Sequence, residues 1–176
     1  MWFVRFVWSD TVALAWSVGL ELRVYRSEDG SEGCVYLDDA RARPPAAEGM
    51  SLVRPQMLEQ VRGPAFGRDA PWHYVVATDV RAEHEDDFNA WYRDQHLPGL
   101  AAVPGTVRAS RHSVVEGAGP RYHACYDLAE RSAFNGREWL AVRATPWSSR
   151  VRPHFFNTRR TMYRCVEPTP ERTRAG

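Results

Sequence analysis

At 176 residues, 44% of them apolar and with a formal net charge of +1, the chain has room for one ordinary domain or two small ones, and enough apolar material for a core. A charge so near zero argues against nucleic acid or an anionic membrane as partner. Arginine wholly replaces lysine, and seven tryptophans with seven tyrosines supply the ring side chains that hold planar or greasy ligands.

Cys34, Cys125 and Cys165 are odd in number, far apart and without a CxxC spacing, so neither a disulfide framework nor a zinc site is expected, and a reducing cytoplasm is the expected location. The opening MWFVRFVWSDTVALAWSVGL imitates a secretion signal, but Asp10 interrupts it, no small-residue cleavage site follows, and it is too broken to span a membrane.

In chain order, Trp2 to Trp8 reads as a strand and Thr11 to Val18 as one or two helical turns. Leu20 to Arg26 alternates apolar and polar residues, Glu28 to Gly33 turns the chain, and Cys34 to Leu37 returns it as a hairpin. Arg41 to Gly49 is a proline- and alanine-rich loop, Ser51 to Arg62 is expected as a helix with Pro55 in its first turn, and Gly63 to Pro71 is a linker. His73 to Val80 is the next strand.

A helix is expected from Ala82 to Leu97, with His84, Phe88, Trp91, Tyr92 and Gln95 on an aromatic side and Asp86, Ala90, Arg93 and Asp94 on a wet one. Pro98 and Gly99 are expected to end it, which places His96 in the last turn, at the edge of the aromatic stripe. Strands follow at Thr106 to Val115 and Arg121 to Leu128, then a helix at Glu130 to Arg143, an irregular segment or short helix from Thr145 to Pro153, a strand at Asn157 to Val166 and a polar tail, Glu167 to Gly176, expected to be disordered.

From residue 72 to 166 this is the order of a ferredoxin-like βαββαβ unit, an α+β fold whose sheet has helices on one face and needs cover on the other. Cover would come from a second subunit, as a homodimer, or from residues 1–71 as an internal pseudo-dimer. Gly19 to Asp38 and Gly105 to Asp127 share a glycine, an arginine-bearing strand, an acidic-glycine turn and a strand ending in aspartate, as a worn first repeat would. An ordinary hairpin would look similar and is the preferred reading on the residues alone.

The helix FNAWYRDQHLPGL, the AAVPG that enters a strand and the TPWSSRVRPHFFN before the last strand make Trp72 to Arg164 resemble the EthD-like group of the dimeric α+β barrel superfamily. The resemblance implies a ligand cleft between sheet and helices, with the histidine at the helix end, here His96, as acid or base. The superfamily spans cofactor-independent monooxygenases, isomerases, cyclases, lyases and haem enzymes, so it does not choose the chemistry.

A histidine suits the role because both its forms are available near neutral pH; its alternative use is to cap the last carbonyls. Phe88 and Tyr92 would line the pocket, with Trp91 in the core. Trp147, Arg150, Arg152 and His154 form a second cluster, in which paired arginines would clamp a carboxylate, enolate or phenolate. His123, Cys125 and Asp127 share one sheet face, opposite Tyr122, Ala124 and Tyr126.

No metal spacing, GxGxxG, phosphate loop or GxSxG elbow is present, and no cofactor is expected. The leading expectation is an enzyme that moves a proton on a hydrophobic cyclic or aromatic metabolite, as an isomerase, cyclase or lyase of polyketide or other secondary metabolism. A non-catalytic small-molecule binder and a cofactor-independent monooxygenase are the alternatives.

Overall fold

The computed structural model describes residues 1–9, 23–37 and 48–166. The expected helical turns at Thr11 to Val18, most of the Arg41 to Gly49 loop and the tail lie outside the described residues.

Eight antiparallel strands close into a barrel: β1 (Trp2–Val7), β2 (Val24–Ser27), β3 (Glu32–Leu37), β4 (Met50–Arg62), β5 (Trp72–Val80), β6 (Thr106–Gly117), β7 (Tyr122–Leu128) and β8 (Phe155–Val166). They run around the ring as β1-β3-β2-β8-β5-β7-β6-β4. The strands of residues 1–62 therefore lie in the order β4-β1-β3-β2, and those of residues 72–166 repeat it as β8-β5-β7-β6. Two four-stranded ferredoxin-like sheets of one chain cover each other, joined at the β2–β8 and β4–β6 seams.

Alternation along the strands sorts side chains to the two faces. In β7, Tyr122, Ala124, Tyr126 and Leu128 pack outward under helices, while His123, Cys125 and Asp127 point into the barrel. In β5, Tyr74 and Val76 go outward and His73 and Val75 inward.

The outer face of the second sheet carries a helical layer. A single 3-10 turn (Ala82–His84) leads into α1 (Glu85–Trp91), a π-helical turn (Tyr92–His96) and α2 (Leu97–Ala101); α3 (Arg137–Arg143) and α4 (Pro146–Val151) follow β7. Of the expected aromatic side, Phe88, Trp91 and Tyr92 are buried, joined by Leu97 and Leu100, whereas His84 and Gln95 are only partly buried. Among the described residues no helix is long and apolar enough to cross a membrane.

Four expectations are corrected. Ser51 to Arg62 is not a helix but most of β4, because the ring closes only if these residues bond β1 on one side and β6 on the other. Pro55, which cannot donate to a ladder, sits at one of the two register shifts of that strand.

Pro98 and Gly99 do not end the helix. The wide turn at Tyr92–His96 lets Pro98 enter the first turn of α2, where a missing N–H costs little. Gly99 serves a close approach instead, since a Cβ there would meet Val142 at 2.9 Å. Glu130 to Arg143 breaks into a 3-10 turn (Arg131–Ala133) and α3, with Asn135 between them at φ 60°. The last strand begins at Phe155 rather than Asn157.

Candidate active site

His96 lies in the π-helical turn, on the face that meets the sheet, and is 7% exposed. Its ring stacks on Trp91, with centroids 4.0 Å apart and planes at 20°, and meets Tyr92 edge-on at 5.3 Å. Burial, together with the positive charges of Arg143 and Arg152, lowers its pKa to about 3, so the imidazole is neutral at physiological pH.

It lines a small cavity between sheet and helices, about 30 Å³, walled by Tyr74, Tyr92, Tyr126 and Trp139 and rimmed by Arg143, Arg152 and Arg160. Nδ1 of His96, the hydroxyl of Tyr126 and Nε1 of Trp139 are buried there without a hydrogen-bond partner among the described residues. Each such group carries a desolvation penalty of about 1–3 kcal/mol, so three around one cavity mark a place where a ligand's polar atoms are rewarded. None of the three rim arginines has an ion-pair partner among the described residues, and Arg152 is destabilised in its charged form by burial and by Arg143 and Arg160. Arg152 and Arg160 are exposed, so their long side chains can swing outward to admit a ring.

Of the expected site residues, His96, Tyr92 and Arg152 meet at this cavity. The others stand behind it. Phe88 is wholly buried and packs edge-on to Tyr92. Trp147 Nε1 donates to Asp87 Oδ1 at 2.8 Å, and Arg150 grips the same carboxylate at 2.8 and 3.0 Å, so both hold α4 to α1. His154 stacks on His84 at 3.4 Å.

Sequence reasoning did not single out Tyr126, Trp139, Arg143 or Arg160. The alternation of β7 placed Tyr126 opposite His123, which was its only signal. Arg111 was missed too: it is 1% exposed, and its guanidinium sits 4.5–4.9 Å from the ring centres of Phe88, Tyr92 and Tyr122, anchoring α1 to the sheet.

A second polar cluster lies inside the barrel. Asp127 Oδ1 is 2.7 Å from Nδ1 of His73, whose Nε2 is 2.7 Å from the hydroxyl of Tyr36; that hydroxyl is 3.7 Å from Cys125 Sγ. Arg108 donates to Asp127 Oδ2 from Nε at 2.8 Å and from Nη2 at 2.6 Å. Burial opposes the charged form of His73, but the Asp127 hydrogen bond and the contact with Cys125 outweigh it and lift its pKa to about 9. Burial likewise opposes a thiolate at Cys125, yet His112 and His73 outweigh it and hold the thiol below its usual range. These residues line a cavity of about 260 Å³ that reaches the exposed side chains of Arg23, Met57 and Gln60.

The architecture is that of a ferredoxin-like α+β barrel, and solved structures share it. A ferredoxin-fold protein from Listeria monocytogenes, described as related to antibiotic biosynthesis monooxygenases, superposes with a TM-score of 0.61 over 95% of this chain and 95% of its own, at 13% identity. An anthrone oxidase-like protein matches with a TM-score of 0.58 over 94% of this chain and 90% of its own, at 15% identity. A major regulator of staphylococcal pathogenesis matches with a TM-score of 0.61 over 95% of this chain and all of its own, at 9% identity. No protein-family model and no curated protein sequence matches the chain. At such identities the likeness establishes the fold alone.

Proposed function

We propose that the chain is a small-molecule enzyme of a reducing compartment such as the cytoplasm, acting in the helix–sheet cleft on a planar aromatic substrate that carries negative charge. The observation that carries this reading is the composition of one cavity: three uncompensated arginines at its rim and three unpartnered polar atoms on its aromatic wall. An anionic ring system satisfies both at once.

His96 is the acid–base group. Burial, with the charges of Arg143 and Arg152 added to it, holds it neutral, so the arrival of an anion between the two arginines removes the electrostatic part of what depresses it and raises its basicity when substrate is bound. It then takes a proton from an activated carbon of the substrate, with Tyr92 against the ring and Arg152 on the developing oxyanion. Returning the proton elsewhere gives an isomerisation, cyclisation or elimination, in keeping with the EthD-like resemblance of residues 72–164.

A second outcome of the same step is favoured by the likeness to the anthrone oxidase-like protein and the monooxygenase-related one: the substrate carbanion reacts with oxygen. A carboxylated hydroxyanthrone is the probe that separates the two. Deuterium exchange at its activated carbon without oxygen reads the proton transfer; oxygen uptake reads the oxidation. His96→Gln is expected to slow exchange about a hundredfold or more. Unchanged exchange in that variant overturns the assignment, and tight binding with neither exchange nor oxygen uptake would make the protein a carrier.

A further inference from the structure

The barrel interior holds a separate constellation that the cleft chemistry does not use. Nucleophile, proton donor, base and orienting carboxylate stand in line across three strands, β3, β5 and β7. We propose that Cys125 is the nucleophile of a second, barrel-interior site, which captures a small planar Michael acceptor of the enone or quinone class, with Tyr36 as the proton donor to the adduct.

The charges of the cluster balance when Cys125 is a thiolate. Arg108 offsets Asp127, and an imidazolium at His73 offsets the sulfur, so an otherwise costly buried set sums to zero. The groups facing the sulfur are His73 from β5, His112 from β6, Tyr36 and Cys34 from β3, and Asp127 further along its own strand. Tyr25 of β2 and Cys165 of β8 complete the surroundings. Against the opposing burial, a hydrogen bond from His112 and the hydrogen bond and positive charge of His73 favour the thiolate.

The surroundings also choose the class of electrophile. Acyl transfer needs free N–H donors for a tetrahedral oxyanion, but β5, β6 and β7 spend theirs on the antiparallel ladders. Conjugate addition places its charge further from sulfur, on a carbonyl oxygen within reach of a phenol. The sulfur lone pair forms the C–S bond at the β-carbon, and the C=C electrons move to the carbonyl as an enolate. Tyr36 protonates that enolate and is reprotonated by the His73 imidazolium, which becomes neutral. A thiolate, an enone and one proton become a thioether. A cavity of about 260 Å³ admits one or two fused rings.

The test is labelling of the folded full-length chain by N-ethylmaleimide, read by peptide mapping and as rate against pH. Cys125 is expected to label in the native state with a midpoint below about 7.5, against roughly 8.5 for the cysteine of a short, unstructured, end-blocked peptide run alongside. Asp127→Asn, which loosens His73, is expected to move that midpoint upward; if the variant does not fold, the native profile decides alone. Tyr36→Phe is expected to slow the addition severalfold at pH above the midpoint. Native Cys125 that labels only after denaturation, or that titrates like the reference peptide, overturns the site, and an unchanged rate in Tyr36→Phe overturns the role of Tyr36.

Discussion

His96 and His73 are both buried, both beside aromatic rings, and are driven in opposite directions. For His96 burial and the charges of two arginines all oppose a further positive charge, so it is neutral down to about pH 3. His73 suffers the same burial but is held between Asp127 and Tyr36, and carries its proton up to about pH 9. Desolvation sets the sign only where no partner answers it; one carboxylate at 2.7 Å reverses the outcome. The cleft is thus an incomplete electrostatic arrangement that a ligand completes, and the interior is one already complete.

The largest effect should come from breaking the complete arrangement. Asp127→Asn leaves Arg108 and His73 without their buried anion, and removal of one partner of such a pair costs about 3–5 kcal/mol. The urea midpoint should fall accordingly, and the His73 ring, followed by NMR, should titrate well below about pH 9. A stable variant with His73 unmoved would mean that the carboxylate does not hold the proton.

The comparison also fixes how stability depends on pH. An unfolded histidine takes its proton near pH 6.5, whereas His96 resists until about 3 and His123 until about 4. Their contribution is complete above about 6.5 and is lost as the pH falls toward those values. His73 runs the other way: its contribution is complete below about 6.5 and is lost as the pH rises through about 9. Urea unfolding from pH 4 to 10 should therefore show a maximum near neutrality, and His96→Gln should flatten the acid limb. An acid limb of the same slope in that variant would contradict a neutral buried His96.

The smallest effects sharpen the cleft. Arg152→Gln removes one of the two cations that depress His96, so its titration should move upward, and the KM for the carboxylated probe should rise about tenfold, some 1.4 kcal/mol. The KM for the ester of the same probe should be indifferent to the substitution, while its turnover should still change because Arg152 also faces the developing oxyanion. Arg150→Ala should leave both readouts where they were, because that guanidinium is spent on Asp87 at the surface.

How much of this was legible in the chain follows from whether a signal is local. Strands such as Trp72–Val80 and Tyr122–Leu128, and the aromatic face from Phe88 to Tyr92, announce themselves because alternation and helical spacing are properties of neighbouring residues. β4 did not, since its thirteen residues alternate poorly and take their form from two flanking strands. Pro98-Gly99 carried a strong stop signal that the π-helical turn and the contact with Val142 override, and neither is visible from spacing.

The site divides the same way. His96 and Tyr92 were found on one helix, and Arg152 on the segment before β8. Arg143, Arg160, Tyr126 and Trp139 come from other elements and join them only when the chain is folded. The line from Asp127 to Cys125 is legible in part, because alternation puts those two on one face; Tyr36 and His73 arrive from β3 and β5 across the ring.

The two seams that close that ring are unequal. Among the described residues nine residue pairs zip β4 to β6, whereas four, Val24 to Ser27 against Tyr163 to Val166, tie β2 to β8. Amide protons along the shorter seam should exchange with solvent sooner, since fewer bonds must part together. Any breathing of the ring then begins beside Tyr25 and Cys165, at the wall of the interior chamber, while the helical roof over His96 rests on strands that stay joined.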